Sequence, residues 1–146
     1  LLRQRPTPGT VTLEITETTL MGRLDAALPT MRALRDNGVG FSIDDFGTGY
    51  SSLAYLSTLP IDSLKIDRSF VMGLHDKPQN VEIVRAVLNL GLSLGRRVIA
   101  EGIETAEQLA ALRELGVPVG QGYLLSRPLR AEQVQEMLAV GTALTV

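Results

Sequence analysis

The sequence predicts an α/β domain built around a mostly parallel β-sheet. Short apolar runs of strand length alternate along the chain with amphipathic stretches of helix length. Glycine, proline or a capping pair marks the ends of these helical stretches, and no low-complexity linker divides the chain. Strict alternation of strands and helices is typical of a parallel sheet, because each parallel neighbour is reached through a crossover. We therefore interpret the chain as five strand–helix units in one domain.

The first half of the chain contains three predicted strands and two predicted helices. Apolar runs with β-branched residues predict strands over 11–17, 40–44 and 63–67. Leucine and methionine at helical spacing predict a helix over 24–36, and leucines predict a shorter one over 53–59. Gly38 follows the first helix as a C-cap glycine would, and Pro60 ends the second.

The second half repeats the pattern with two strands and three helices. Strands are predicted over 97–101 and 120–124. Helices are predicted over 79–94 and 131–139, with a third between them that ends at Gly116. Thr105 and Gln108 have the spacing of a capping box, which places the start of that third helix.

Composition is that of a globular domain and excludes several classes of function. Of the 146 residues, 45% are hydrophobic and 21% charged, so a sizeable core is expected. The formal net charge of -2 gives no basic field that would hold a long nucleic acid. Cysteine is absent, which excludes disulfides and thiolate metal sites. No apolar run approaches the roughly 20 residues that span a bilayer, so we expect no membrane contact from this segment.

Polar side chains lie at or near the carboxyl end of every predicted strand. They are Glu14, Glu17, Asp44, Asp45, Lys65, Asp67, Glu101, Glu104 and Gln121. The carboxyl ends of parallel strands form the functional face of α/β folds, so these groups are expected to meet there. Gathered carboxylates repel one another unless cations intervene, and hard divalent cations prefer oxygen ligands. The pattern therefore favours a Mg²⁺ or Mn²⁺ site.

Adjacent Asp44 and Asp45 suit a site with two metal ions. They point to opposite faces in an extended strand, but a bend at Phe46-Gly47 would bring both to the same rim. Two ions about 3.5–4 Å apart suit in-line displacement at phosphorus.

Each of these groups also has a simpler interpretation. A strand-end carboxylate often caps a helix or pairs with a basic residue, Lys65 alone would be an ion-pair partner for Asp44, and Gln121 alone would be a core amide. Gly47-Thr48-Gly49 lacks the spacing of a phosphate-binding loop and reads as a flexible turn. His75, the only histidine, lies in a polar loop. The complete set at successive strand ends favours the metal site over these separate explanations.

Five ordered motifs resemble the EAL family closely. They are Leu13-Glu14-Ile15-Thr16-Glu17, Asp44-Asp45-Phe46-Gly47-Thr48-Gly49-Tyr50-Ser51-Ser52-Leu53, Leu59-Pro60-Ile61-Asp62-Ser63-Leu64-Lys65-Ile66-Asp67, Ile99-Ala100-Glu101-Gly102-Ile103-Glu104-Thr105 and Gln121-Gly122-Tyr123. Their order and spacing also match, over nearly the whole chain. The resemblance implies a modified (β/α)8 barrel, similar to a TIM barrel. It also implies hydrolysis of cyclic di-GMP to linear pGpG with Mg²⁺ or Mn²⁺.

The resemblance also implies roles for individual residues. Glu14 and Asp44 would bind the first metal ion, Asp44 would bridge to the second, and Asp45 would bind the second. Lys65 would hold the water nucleophile, Glu101 would act as general base or second-metal partner, and Gln121 would orient the water or the phosphate. Glu17 would anchor the loop 47–52, which couples the active site to dimerisation in the family. Gly47, Thr48, Gly49 and Glu104 are predicted to position this loop or the substrate.

Relative to the family pattern, the Glu-Ala-Leu segment and a later asparagine ligand are absent. Both would precede Leu1, so residues 1–146 are expected to be strands four to eight of a single EAL domain. The start has neither an initiator Met nor the pattern of a signal peptide. We expect the isolated chain to be inactive and unstable as a monomer, because an open parallel sheet exposes edge groups and core.

The parent protein is expected to be a cytoplasmic homodimer, with or without a membrane anchor, that carries an upstream sensory or GGDEF domain. Three alternatives are a degenerate domain that senses cyclic di-GMP without cleaving it, a dimerisation scaffold, and a different metal barrel such as an enolase-like enzyme. The last would not explain the Asp-Asp-Phe-Gly-Thr-Gly loop.

Overall fold

The computed structural model of the protein describes residues 11–49 and 53–139. Its elements are β1 (Thr12–Thr16), α1 (Glu17–Met21), α2 (Leu24–Arg35), β2 (Gly40–Phe46), α3 (Leu53–Leu56), β3 (Ser63–Ile66), α4 (Arg68–Met72), α5 (Pro78–Ser93), β4 (Arg97–Ala100), α6 (Ala106–Leu115), β5 (Val119–Gly120) and α7 (Ala131–Ala139). The strands form one parallel sheet in the order β1-β2-β3-β4-β5. The predicted α/β class and parallel sheet are confirmed. Tyr50, Ser51 and Ser52 of the predicted loop, and the chain ends 1–10 and 140–146, lie outside the described residues.

Two short helices, α1 and α4, interrupt the predicted strict alternation. Each begins directly at a strand end, where a side chain caps it. Thr16 accepts a hydrogen bond from the Thr19 N–H, and Asp67 accepts one from the Ser69 N–H at 2.9 Å. Glu17 is therefore the first residue of α1 rather than the end of the first strand.

The last strand is shorter than predicted. It contains Val119–Gly120 and not 120–124, so Gln121 lies just beyond the strand instead of within it. Gly122 packs so closely on the loop after β4 that a Cβ there would lie 2.1 Å from the carbonyl oxygen of Ile103. This approach, together with a hydrogen bond from the Leu124 N–H to the same carbonyl, turns the chain away from the sheet.

The two faces of the sheet differ in polarity. Side chains from the central strands pack in the apolar core beneath the helices: Phe41, Ile43, Leu64, Ile66, Val98 and Ala100. On the other face, Ser42, Ser63 and Lys65 are buried, and the Ser63 hydroxyl lies 2.9 Å from that of Ser42. Because side chains alternate along a strand, Ser63 and Lys65 share this polar face. Among the helices of residues 11–49 and 53–139, none has the length and apolarity needed to cross a bilayer.

Asp62 ties β2 and α2 together at the amino-terminal edge of the sheet. Its Oδ2 accepts the Phe41 N–H at 2.9 Å, and its Oδ1 accepts a hydrogen bond from Arg35 Nη2 at 2.9 Å. Burial alone would raise the pKa of the Asp62 carboxyl. The Phe41 hydrogen bond and the charge of Arg35 outweigh burial, so the pKa of Asp62 is lowered.

We expect Asp62→Asn to lower the free energy of unfolding by about 1–3 kcal/mol at neutral pH, since hydrogen bonds to a charged group are lost. With its folded pKa below the usual value of 3.8, ionised Asp62 stabilises the fold above that pH. This stabilisation is lost as the pH falls through the folded pKa. In urea unfolding, the difference from wild type should be constant from about pH 7 to 5 and shrink below about pH 4. Exposed Asp76→Asn is the control, and a pH-independent difference would contradict an ionic origin.

Candidate metal centre at the strand ends

Lys65 lies at the centre of the polar groups at the carboxyl ends of the strands. Its side chain is only 4% exposed. The Nζ atom lies 2.6 Å from Glu14 Oε2, 3.1 Å from Asp44 Oδ1 and 2.6 Å from Glu101 Oε1. These carboxylates come from β1, from β2 and from the residue that follows β4. A single ammonium group therefore contacts acidic side chains from three other strands at one rim of the sheet.

A bulge in β2 directs the adjacent aspartates toward this rim. The pairing of β2 with β3 shifts between Ile43 and Phe46. Asp45 has a left-handed backbone with φ of 53°, a conformation that aspartate tolerates better than most residues. The bend therefore lies at Asp45 itself, one residue before the Phe46-Gly47 step at which it was predicted, because the extra residue of a bulge must leave the ladder.

Asp44, Asp45 and Glu101 bring carboxylate oxygens within 4.8 Å of one another. Asp44 Oδ1 is buried and accepts no hydrogen bond, since its orientation toward Lys65 makes an ion pair only. A buried oxygen with unused lone pairs, next to two further carboxylates, suits a hard divalent cation. The donor set therefore fits Mg²⁺ or Mn²⁺. Glu14, predicted as a metal ligand, contacts Lys65 and is not a member of this three-carboxylate group.

The electrostatics of the cluster follow from burial and crowding. Burial alone would lower the pKa of Lys65, but its hydrogen bonds to Glu101 and Glu14 and its ion pair with Asp44 raise the pKa well above the usual lysine value. Burial raises the pKa of Glu101, which Lys65 partly opposes. Burial also raises the pKa of Asp45, with further contributions from the neighbouring charges of Asp44 and Asp67. Lys65 is thus a permanent cation, and Glu101 and Asp45 hold protons more readily than exposed carboxylates do.

Gln121 extends the cluster to the fifth strand. Its Nε2 donates to Glu101 Oε1 at 2.6 Å. The backbone N–H of Glu101 bonds to the Ile66 carbonyl at 3.2 Å, and that of Gln121 bonds to the Ala100 carbonyl at 2.8 Å. Glu101 is therefore fixed by main-chain bonds to β3 and by a side-chain bond from the end of β5.

Glu17 lies under the glycine-rich segment that follows β2. Its carboxylate is buried, and Oε2 accepts the Gly47 N–H at 2.9 Å. A Cβ at Gly49 would lie 2.8 Å from Glu17 Oε1, so the segment passes directly over this carboxylate. Thr48 turns back on Asp45, with its hydroxyl 2.8 Å from the Asp45 carbonyl oxygen. Gly47 has φ of +96°, which favours glycine at this turn.

Glu104 lies apart from the cluster and pairs with Arg68, whose Nη2 is 2.8 Å from Glu104 Oε1. Both line a cavity of about 400 Å³ beside Gln121 and Tyr123. Sequence reasoning did not single out Arg68, and the only signal for it was its place directly after a strand end. A larger cavity of about 630 Å³ beside α2 and Tyr55 lies away from the carboxylate cluster and is not the site.

Comparisons with known proteins agree with this geometry. The EAL domain family matches residues 1–128. The cyclic di-GMP phosphodiesterase NbdA of Pseudomonas aeruginosa is 50% identical over 126 residues, which are 86% of this chain and 16% of that protein. The bifunctional diguanylate cyclase/cyclic di-GMP phosphodiesterase MucR of the same organism is 47% identical over 139 residues, which are 95% of this chain and 20% of that protein. The chain thus spans a fifth or less of the length of these curated relatives.

Solved structures show the same architecture. The PaMucR phosphodiesterase in complex with c-di-GMP matches with a TM-score of 0.83 at 48% identity, over 87% of this chain and 51% of that one. BlrP1 of Klebsiella pneumoniae, solved with manganese and cyclic di-GMP, matches with a TM-score of 0.78 at 37% identity, over 84% of this chain and 31% of that one. Because EAL domains have a TIM-barrel fold, these matches confirm the predicted partial barrel.

Proposed function

The chain belongs to the EAL domain family, and from that premise we propose that its domain hydrolyses cyclic di-GMP to linear pGpG. In this reaction water adds to one phosphorus atom and one P–O ester bond breaks, so the ring opens. The observation that carries the proposal is the cluster of Glu14, Asp44 and Glu101 around Lys65, with Asp45 beside it. It supplies both acidic metal ligands and a buried cation, which phosphodiester hydrolysis requires.

Glu14, Asp44 and Asp45 are the residues that we propose as ligands of two Mg²⁺ or Mn²⁺ ions, with Asp44 bridging. When bound, such ions activate water and neutralise charge on the attacking and leaving oxygens. The buried Asp44 Oδ1, which accepts no hydrogen bond, and the closeness of Asp45 support this assignment. The cluster has an excess of negative charge over its single ammonium, which favours cation binding.

Lys65, Glu101 and Gln121 are proposed as the catalytic residues. Lys65 keeps its proton, because its pKa is raised, so it donates hydrogen bonds to the water and does not act as a base. Glu101, with a pKa raised by burial, takes the proton from that water. The Gln121 amide donates to Glu101 Oε1 and leaves Oε2 for the water.

Glu17 is proposed to hold the loop 47–52 in place by accepting the hydrogen bond from the Gly47 N–H. Thr48 and Gly49 are proposed to shape this loop. Glu104 is proposed to position the substrate or the loop. The domain is further proposed to act in the cytoplasm as a homodimer, downstream of a sensory or GGDEF domain. The association with a GGDEF domain is supported by MucR, a relative that is also a diguanylate cyclase.

Residues 1–146 are proposed to be strands four to eight of the EAL domain. The residues that precede them would complete the barrel and the ligands of the first metal ion. The isolated chain is therefore proposed to be inactive by itself. A sensor that binds cyclic di-GMP without cleaving it is the alternative, and the intact set Glu14, Asp44, Asp45, Lys65 and Glu101 favours the enzyme.

The test is a hydrolysis assay with cyclic di-GMP and Mn²⁺ on two samples, the complete domain and the isolated 146-residue chain. We expect pGpG from the complete domain only, and none after a chelator removes the metal. Cyclic di-GMP binding without turnover by the complete domain would support the sensor instead. Turnover by the isolated chain would refute its proposed inactivity.

A further inference from the structure

Arg68 bridges two strand ends without belonging to the carboxylate cluster. It is the first residue of α4, directly after Asp67, which ends the β3 segment and caps the helix. Its side chain crosses to the β4–α6 loop, residues 101–105, where Nη2 lies 2.8 Å from Glu104 Oε1. This loop begins with Glu101, so Arg68 contacts the segment that carries the proposed proton acceptor.

The stem of Arg68 makes the closer contact with this loop. Gly102 has φ of +70°, and a Cβ there would lie 2.3 Å from Arg68 Cγ and 2.8 Å from both its Cβ and its Cδ. The turn after Glu101 therefore lies directly on the methylene groups of Arg68. The Arg68 and Glu104 side chains are 53% and 35% exposed, and an ion pair so exposed contributes little by itself. The stem packed on Gly102 holds the guanidinium group beside Glu104, so the stem and the ion pair support the loop together.

The other sides of the β4–α6 loop are held by different residues. The Ile103 N–H bonds to the Gln121 carbonyl at 3.1 Å, and Gly122 packs against Ile103. At the far end, the Glu104 N–H donates at 2.7 Å to Gln108 Oε1, which also accepts the Thr105 N–H in the capping box of α6. Arg68 supports the side of the loop that faces α4. Without it, Gly102 loses its packing surface next to Glu101.

We propose that Arg68 is a positioning residue that keeps Glu101 at its place beside Lys65 by supporting the turn at Gly102 and tethering Glu104. The expected effect on turnover rests on the proposed function, in which Glu101 accepts the proton from water. Arg68 itself contacts neither Lys65 nor Glu101 through any described hydrogen bond or ion pair. It acts through the loop, so its loss should alter turnover more than folding.

The test compares Arg68→Met with Arg85→Met in the complete domain. Arg85 has the same 53% exposure and pairs with Glu82 within helix α5. Methionine keeps part of the stem but removes the ion pair. We expect Arg68→Met to lower kcat roughly tenfold with KM changed less than about twofold, because a small displacement of a catalytic group slows the chemical step. Arg68→Lys should have a kcat between those of Arg68→Met and wild type. Arg85→Met should have the wild-type kcat.

A double variant and hydrogen exchange decide the remaining outcomes. If Arg68 acts through Glu104, adding Glu104→Gln to Arg68→Met should not lower kcat further. If the two substitutions lower kcat by factors that multiply, Arg68 does not act through Glu104. Amides of 102–104 should exchange faster in Arg68→Met, and unchanged exchange would overturn the positioning role. This readout needs no turnover. If the wild-type domain does not hydrolyse cyclic di-GMP but the 102–104 amides still exchange faster in Arg68→Met, the proposed function is contradicted. The positioning role of Arg68 is then supported.

Discussion

Replacing Asp44 with asparagine is expected to reduce cyclic di-GMP hydrolysis on the order of a thousandfold. Asparagine has nearly the same size and keeps one oxygen, so the strand should fold as before. It removes the negative charge that faces Lys65 and leaves one oxygen where the carboxylate, with its buried Oδ1, offered two. A neutral amide also cannot bridge two cations as a carboxylate does.

The measurements for Asp44→Asn are the rate of pGpG formation and the affinity for Mn²⁺ in the complete domain. Both should fall together, since the residue is proposed to act through the metal ions. Asp76→Asn, which makes the same substitution in an exposed loop, is the matched control and should leave both unchanged. A variant that keeps the wild-type rate would show that Asp44 is not a metal ligand.

Replacing Lys65 with methionine is expected to abolish turnover and also to destabilise the metal-free fold by about 3 kcal/mol, because breaking a buried ion pair leaves charges uncompensated. Glu14, Asp44 and Glu101 would then face one another across a space that Lys65 now fills. The cost is at the low end of that expected for buried pairs, since the Glu14 side chain is 51% exposed and keeps some hydration.

Two conditions should relieve the Lys65→Met defect in stability. Lowering the pH protonates Glu101, whose pKa is raised by burial, so the gap in unfolding free energy between variant and wild type should narrow toward about pH 4–5. Added Mn²⁺ should also narrow this difference in unfolding free energy, because the metal cation replaces the lost lysine charge. Lys77→Met, at the other lysine of the chain, is the control. A gap unaffected by pH and metal would mean that packing, and not charge, explains the loss.

The sequence was sufficient to place the site at one rim of the sheet. Strand positions followed from β-branched runs, and parallel order then required Glu14, Asp44, Lys65 and Glu101 to share an edge. Gln121 was also placed beside them, although its strand proved shorter. These deductions needed only local periodicity and a topological rule.

Long-range and backbone details were not predictable in the same way. The contacts of Lys65 with three carboxylates depend on packing between strands far apart in sequence. The bulge at Asp45 and the close approach of Gly122 to Ile103 arise from register and tertiary contact, which propensity does not encode. The short helix α4 had a local signal, the Asp67-x-Ser69 cap, but α1 begins where a strand was expected to continue.

The bond of Lys65 to Glu14, Asp44 and Glu101 means that the protein carries its own internal counter-ion. Mutual repulsion among the acids is relieved before any ion arrives from solution. The arrangement of this cluster therefore does not depend on a bound metal ion. Under the proposed function, Mg²⁺ or Mn²⁺ would enter a cluster whose charged groups are already in place.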